Sequence, residues 1–271
     1  MTLLNFDTIF QSVIRIKSEF TDDLGNIKVG IGTGFAIHHE NQYVIVTNRH
    51  MLDYSYLTLD KKFSLSKLIF WCRTLDNSNL ECAPTEFKVD LSKTNIISHP
   101  TTDLSIVIHP HFLNCTNLPD VTPIPSTFIA DKIFFEKTLS TLDSCAFIGY
   151  PSSKKAEWWD THLGLPIARL ANLASRPGNE FRNEAIQRTH IQLVAGFSFS
   201  GSSGSPIYSL GSGGFRTKTG FLQLPNGIEP KLIGIMAGHF KDDASPPEML
   251  QHTGLSYFIS SDAILELLGT K

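Results

Sequence analysis

Short runs of apolar residues, many of them alternating with polar ones, extend along most of this chain. Runs that are rich in β-branched and aromatic residues and bounded by Gly, Asn, Asp or Pro predict β-strands. The pattern predicts ten strands, at residues 12–16, 30–37, 43–48, 68–73, 104–108, 146–150, 191–195, 205–208, 231–237 and 255–259. Two longer stretches between them, 152–188 and 210–230, are predicted to be irregular, and the second has the character of a hairpin-like insertion.

Helical periodicity is convincing only near the end of the chain. Residues 261–269 predict a helix that begins at Ser261 and Asp262 and stops at Gly269. Many short strands followed by one helix indicate an all-β sandwich or a pair of barrels. The proline-rich stretch 110–131 is the best candidate for a link between two halves. We expect an N-terminal unit at about residues 1–120 and a C-terminal unit at about 121–260.

Composition removes several classes of function. Lys and Arg number 23 against 26 Asp and Glu in 271 residues, so the formal net charge is -3 and phosphate-driven binding of nucleic acid is not expected. No run of 18 uncharged apolar residues occurs, so we expect no membrane association. Residues 1–20 contain charges that a secretory signal would lack. The four cysteines show no metal-binding spacing, which favours free thiols and a cytoplasmic protein.

The first segment that carries chemistry is the apolar run 43–48, which leads directly into His50. A histidine at the end of a strand presents its ring to a crevice while the strand fixes its backbone, as a general base requires. A second segment places Asp103 immediately before the apolar run 104–108. A buried carboxylate needs hydrogen-bond partners, and an imidazole Nδ1–H is a suitable one. A turn or capping aspartate is the alternative.

The third segment is the Gly- and Ser-rich stretch 200–206, which contains Ser203 and runs into an apolar strand. A serine hydroxyl attacks a carbonyl only when a base takes its proton and amides hold the resulting oxyanion. The glycines at 201 and 204 allow a sharp turn in which the N–H groups of Gly201 and Ser203 converge beside the Ser203 oxygen. A flexible linker is the alternative, but it does not explain the Pro206 and strand that follow.

Together the three segments resemble the motifs of chymotrypsin-fold serine peptidases, especially the disulfide-free, HtrA-like and bacterial-type domains. The resemblance extends over about residues 9–268. The order His, Asp, Ser distinguishes this group from α/β-hydrolases and subtilisin-like enzymes. The sequence stretches that carry the resemblance are Thr33-Gly34-Phe35, Thr47-Asn48-x-His50, Asp103-Leu104-Ser105-Ile106, Gly201-x-Ser203-Gly204-x-Pro206 and residues 254–262.

The resemblance implies two six-stranded antiparallel Greek-key barrels with a C-terminal helix and an active site between them. It also implies a catalytic triad in which Ser203 is the nucleophile, His50 the base and Asp103 the group that orients His50. The amides of Gly201 and Ser203 would form the oxyanion hole. The implied substrate is a protein or peptide, and neither a cofactor nor a metal is expected. The pairs His38-His39 and His109-Pro110-His111 are not expected to bind metal.

Two features depart from secreted trypsins. The acidic residue that normally precedes the nucleophile is Ser202 here, so activation through a new N-terminus is not expected. We expect control by loop ordering or by a regulatory protein partner. The residue after the catalytic histidine is Met51, where secreted members have cysteine.

The resemblance also implies a pocket for the residue before the cleaved bond. No acidic residue precedes the nucleophile closely, so a preference for Arg or Lys is not expected. The apolar walls favour a small or medium apolar side chain, and His239 raises the alternative of an acidic one. The residues that we expect to line this pocket are Phe197, Ser198, Met236, Gly238, His239 and Gly254.

Two other functions stay open at this point. The chain could be a protein-binding module on the same fold, with its oxyanion loop collapsed, and Ser202 is the feature that favours this alternative. It could also be an esterase or acyltransferase, since both use the same acyl-enzyme chemistry.

Overall fold

The structure, a computed structural model, describes residues 6–58, 62–73, 84–109, 121–153, 156–184, 186, 188–217, 220–241 and 252–270. Helices in these ranges are short. They are α1 (Phe6–Gln11), α2 (Ser55–Thr58), α3 (Lys132–Lys137) and α4 (Asp262–Leu268), with 3-10 turns at Arg49–Met51, Leu91–Lys93 and Ser126–Phe128. None of the helices in the described ranges has the length and apolarity that crossing a membrane requires.

Strands are the main regular element of the described chain and its helices are short, so the all-β prediction is confirmed. The first half contains β1 (Val13–Thr21), β2 (Ile27–His39), β3 (Gln42–Thr47), β4 (Ser64–Arg73), β5 (Pro84–Val89), β6 (Asn95–Ser98), β7 (Ser105–Ile108) and β8 (Ile124–Pro125). The second half contains β9 (Ser144–Gly149), β10 (Ile167–Leu173), β11 (Ile191–Ala195), β12 (Pro206–Ser209), β13 (Ser212–Thr217), β14 (Gly220–Ile228), β15 (Leu232–Lys241) and β16 (His252–Ser260).

The strands of the first half form one antiparallel sheet in the order β5-β4-β1-β2-β3-β7-β6, and β8 pairs in parallel with β2. Along each strand, side chains on the inner face alternate with side chains that face solvent, as expected for half-buried strands. Residues such as Ile16, Ile45 and Phe70 fill that inner face. Within the described residues no ladder joins β5 to β6, so the structure shows a curved sheet here and not the closed six-stranded ring that we expected.

The second half closes into a six-stranded barrel in the order β10-β11-β16-β15-β12-β9, which confirms the barrel predicted there. Phe147, Ile207 and Phe258 lie inside it with no exposed surface. Cys145 is also buried, and burial raises the pKa of its thiol to about 12, so the thiol is not reactive. The side chains of the other cysteines lie outside the described part of the chain.

A third apolar cluster joins the two halves. Its members come from both sides, for example Phe35 and Ile106 from the sheet and Tyr208 and Ile259 from the barrel. Because this shared core fixes the sheet against the barrel, side chains at the boundary keep a defined separation. Residues 110–120, where the predicted boundary between the units falls, lie outside the described residues, so the division into units stays a prediction.

The C-terminal helix α4 packs against this assembly. Ala263 and Ile264 are buried, and the Ser261 hydroxyl before the helix donates to the Ala130 carbonyl at 2.5 Å. Gly269 ends the helix in the left-handed region (φ +73°), and its N–H bonds to the Glu266 and Leu265 carbonyls. The stop at glycine therefore follows the sequence prediction.

Replacing Gly234 with alanine should destabilise the barrel by about 2–4 kcal/mol. A Cβ on Gly234 (φ +155°) would lie 2.1 Å from the Ile259 carbonyl oxygen. Gly25→Ala is the matched control, since Gly25 also has a positive φ (+82°) but has nothing within 4 Å of the added carbon. We expect about 1 kcal/mol for that variant. Urea unfolding measures the free energy of unfolding of both variants. Equal losses in the two would contradict a steric clash at residue 234.

Candidate active site

His50 and Asp103 form a hydrogen-bonded pair at the edge of the first sheet. The antiparallel pairing of β3 with β7 sets Thr47 opposite Ser105, which brings the two side chains together beyond the paired ends. His50 Nδ1 lies 2.7 Å from Asp103 Oδ2, and the His50 N–H donates to Oδ1 at 2.9 Å. The carboxylate accepts, so Nδ1 carries the proton and Nε2 keeps a free lone pair.

Asp103 is completely buried, yet it is ionised. Burial alone would raise the pKa of this carboxyl. The electrostatic interaction with the His50 ring, the two hydrogen bonds that His50 donates and the nearby Arg188 outweigh that effect and hold the pKa below its usual value. Arg188 Nη1 lies 3.6 Å from Asp103 Oδ2. Sequence reasoning missed Arg188, because nothing in its local sequence links it to residue 103.

The loop that carries Ser203 is fixed from both halves of the molecule. The Thr33 N–H, on β2, donates to the Ser203 carbonyl at 2.7 Å, and the Thr33 hydroxyl donates to the Gly201 carbonyl at 2.7 Å. From the barrel side, the Gly204 N–H donates to the Met236 carbonyl at 2.9 Å. Gly204 (φ +88°) has no room for a side chain, since a Cβ would lie 1.7 Å from the Thr33 oxygen.

The amides of Gly201 and Ser203 make no hydrogen bond to any described residue. The Ser152 N–H holds the Ser200 carbonyl at 2.8 Å. Because the peptide bond between Ser200 and Gly201 is trans, this contact turns the Gly201 N–H in the opposite direction. Gly201 itself has φ +81°, which favours glycine. Neither amide therefore has a hydrogen-bond partner among the described residues.

A cavity of about 310 Å³ brings together most of the predicted site. His50 and Ser203 both line it, as do the predicted pocket residues Ser198, Met236, Gly238 and His239. Phe197 and Gly254 do not line it: Phe197 is exposed, and its ring lies 4.8 Å from the His252 ring. No hydrogen bond within 3.5 Å joins Ser203 Oγ to the His50 ring among these described atoms.

One of the residues that line this cavity, His239, stacks on a second imidazole, that of His252. The ring centroids of His239 and His252 are 4.5 Å apart at 22°, and Ser198 Oγ lies 3.3 Å from His239 Nδ1. Burial, followed by the charges of His252 and Lys241, lowers the pKa of His239 to about 4. His239 is therefore neutral at pH 7. Sequence reasoning named His239 but missed His252. This residue begins β16, three residues before the strand that we predicted at 255–259.

The Arg169 side chain bonds to both ends of the stretch 197–202, which leads into Ser203. Its Nη2 donates to Ser202 Oγ at 2.5 Å and its Nη1 to the Phe197 carbonyl at 3.1 Å. The guanidinium stacks on Phe147, 4.5 Å from the ring centroid, and on Phe199, 5.3 Å away. Burial lowers its pKa to about 10, and no described carboxylate pairs with it. Its position, in a stretch that we predicted to be irregular, gave no signal in the sequence.

Comparison of the whole structure with solved structures finds matches that include Deg5 and an HtrA-type protease, AlgW. The structure of Deg5 matches with a TM-score of 0.50 and 12% identity, covering 96% of this chain and 88% of that one. The HtrA-type protease AlgW, solved with a decapeptide, matches with a TM-score of 0.52 and 13% identity, covering 98% and 67%. The chain has the chymotrypsin-like fold of HtrA-type proteases.

At this level of identity the HtrA-type likeness establishes the fold, and the chemistry has to be argued from the site itself. No protein-family model and no curated protein matches the sequence. The recognition of the fold from three short motifs is nevertheless confirmed by the structure comparison.

NMR titration should find the His239 ring titrating near pH 4, below the usual histidine value of about 6.5. Between these pH values the unfolded chain binds the proton that the folded chain rejects. The free energy of unfolding should therefore fall as the pH drops from 6.5 to 4, and His239→Gln should flatten that fall. His162→Gln, at an exposed position, is the control. A His239 midpoint near 6.5 would contradict the burial argument.

Proposed function

We propose that this protein is a serine endopeptidase that uses Ser203, His50 and Asp103 as its catalytic triad. The observation that carries the proposal is the buried His50–Asp103 hydrogen bond at a cavity that Ser203 also lines. A neutral imidazole with its proton fixed on Nδ1 has the lone pair on Nε2 that a general base needs. The HtrA-type fold and two unbonded amides beside Ser203 support the same function.

In the proposed reaction Ser203 Oγ attacks the carbonyl carbon of the substrate, and His50 Nε2 takes the hydroxyl proton. Asp103 stays ionised and stabilises the imidazolium that forms. The negative oxygen of the tetrahedral intermediate accepts hydrogen bonds from the Gly201 and Ser203 N–H groups. When the C–N bond breaks, His50 returns the proton to the leaving amine. Water then attacks the acyl-enzyme by the same route and releases Ser203.

The order of the nucleophile loop comes, in this proposal, from Arg169. Secreted trypsins order this loop by pairing an acidic residue with a new N-terminus, and Ser202 cannot form that ion pair. The Arg169 guanidinium instead donates to Ser202 Oγ and to the Phe197 carbonyl, on either side of the loop. The loop is therefore held by a residue of the barrel, and we expect activity without proteolytic processing. Control by a protein partner stays a prediction.

We expect the cavity to accept an uncharged side chain of small or medium size before the cleaved bond. None of the described residues that line it is acidic, and Lys241 is among them, so Arg and Lys should be rejected. Recognition of an acidic side chain would require a charged imidazole. A His239 pKa of about 4 opposes that charge at neutral pH. A library of peptides that differ only at this position would rank the three classes.

A fluorescent fluorophosphonate should label the wild-type chain and fail to label Ser203→Ala, since the reagent reacts only with an activated serine. Ser200→Ala is the matched control, because Ser200 is an exposed hydroxyl in the same loop, and this variant should be labelled like wild type. Digestion of casein at neutral pH checks endopeptidase activity directly, and p-nitrophenyl esters check an esterase.

Equal labelling of wild type and Ser203→Ala would remove Ser203 from its proposed role. Absence of labelling and of digestion in the wild type would favour the protein-binding module, in which the Ser203–His50 hydrogen bond never forms.

Arg169→Met should lower the rate of fluorophosphonate labelling by about tenfold or more, because the loop amides lose their support while the apolar stem is kept. The pH profile of labelling should keep its midpoint, since His50 and Asp103 are untouched. Arg182→Met, which removes an exposed arginine, should change neither. An unchanged labelling rate in folded Arg169→Met, checked by circular dichroism, would show that the loop orders itself without Arg169.

A further inference from the structure

Away from the cavity, three potential metal ligands converge from separate parts of the chain. His99 follows β6, His190 precedes β11 and Glu266 lies on α4. His99 Nε2 is 2.9 Å from Glu266 Oε2, and His190 Nε2 is 3.6 Å from Glu266 Oε1. The two imidazole rings meet edge to face, with centroids 5.4 Å apart. The three ligand atoms all lie within 4.8 Å of one another.

We propose that His99, His190 and Glu266 bind a Zn²⁺ ion. Two imidazole nitrogens and one carboxylate oxygen are a donor set that zinc takes in proteins, with a fourth position left for water. Zinc bonds of about 2.0–2.1 Å place tetrahedral ligand atoms about 3.3–3.4 Å apart. His99 Nε2 lies 2.9 Å from Glu266 Oε2 and His190 Nε2 lies 3.6 Å from Oε1, so the two distances, to different oxygens, bracket this spacing. The three ligand atoms all lie within 4.8 Å of one another, so side-chain rotations have to draw them together by at most about 1.5 Å to form the site.

An ion can reach these ligands from solvent. His190 and Glu266 line an open cavity of about 780 Å³, whose other charged lining residues include the carboxylates of Asp131, Glu180 and Asp262 as well as Lys132 and Arg182. His99 closes the inner side, since it is only 3% exposed. With His99 buried and His190 and Glu266 facing the open cavity, a fourth coordination position is accessible to water.

The surroundings also hold the two histidines in place. The Thr101 N–H donates to His99 Nδ1 at 3.3 Å, so in the absence of metal the ring proton lies on Nε2 and points at Glu266. Zinc binding moves that proton to Nδ1, where Thr101 Oγ1 lies 3.4 Å away as its acceptor. The hydrogen bond that is lost, from the Thr101 N–H to His99 Nδ1, is a long one. On the other ligand, the backbone N–H of His190 donates to Glu180 Oε1 at 3.1 Å, which fixes the position of the main chain that carries this imidazole.

The site would connect the helix α4 to the segments that surround Asp103. The His99 N–H donates to the Leu104 carbonyl at 2.8 Å, which closes the chain around Asp103. The Thr102 hydroxyl donates to the Thr189 carbonyl at 3.0 Å, next to His190. A zinc ion bound across these segments stabilises the folded chain, because the unfolded chain does not hold the three ligands together.

Titration of the chelator-treated full chain with zinc chloride tests the proposal by isothermal calorimetry. We expect one ion per chain, and a Tm rise of about 5 °C at a hundredfold excess over Kd. Co²⁺ in place of zinc should give the visible absorption of a tetrahedral site. His190→Gln and Glu266→Gln should each weaken binding by more than about 100-fold, since even outer-shell changes cost about 10–100-fold. His162→Gln, an exposed histidine, should bind like wild type.

Two results would overturn the site. One is a wild-type chain that takes up no zinc, which would leave the cluster as a hydrogen-bonded pair. The other is a folded His190→Gln or Glu266→Gln chain with unchanged zinc affinity, which would move the ion elsewhere. Neither measurement depends on peptide cleavage, so a failure here is separate from a failure of the proposed peptidase function.

Discussion

The third apolar cluster, which joins the sheet to the barrel, is the constraint on which the site depends. The side chains that form it come from both halves and include Phe35, Ile106, Tyr208 and Ile259, each at most 2% exposed. Neither half buries these faces without the other, so separating the halves would expose them to water at roughly 25 cal/mol per Å². Because such packing is dense and resists deformation, it sets the distance between His50 on one side and Ser203 on the other.

Hydrogen bonds of Thr33 fix the loop that carries Ser203 against this apolar cluster. Its hydroxyl donates to the Gly201 carbonyl and accepts from the Tyr150 N–H at 3.1 Å, while its carbonyl accepts from the Thr47 hydroxyl at 2.8 Å. One completely buried residue of the sheet thus bonds to two parts of the barrel and to the strand that precedes His50. Buried polar networks of this kind specify a single arrangement when every member is satisfied.

The sequence allowed the fold class, the second barrel and the positions of the ten predicted strands to be recognised, since these depend on local periodicity and turn residues. Strands β5, β6, β8, β10, β13 and β14 were not predicted, and β13 and β14 lie in the stretch 210–230 that we expected to be irregular. In β10, Arg169 and the exposed Leu170 interrupt the pattern. The pairing of His50 with Asp103 could be anticipated, because a buried carboxylate needs a partner. Arg188, His252 and the His99–His190–Glu266 cluster could not, since their proximity arises only from the way distant segments pack.

The support of Ser202 by Arg169 also affects behaviour in alkaline solution. An α-amino group used for the same purpose loses its charge at about pH 8. The Arg169 guanidinium, even with its pKa lowered to about 10, keeps its charge two pH units further. The contact between Arg169 and Ser202 is therefore expected to persist to a pH about two units higher than one made by an α-amino group.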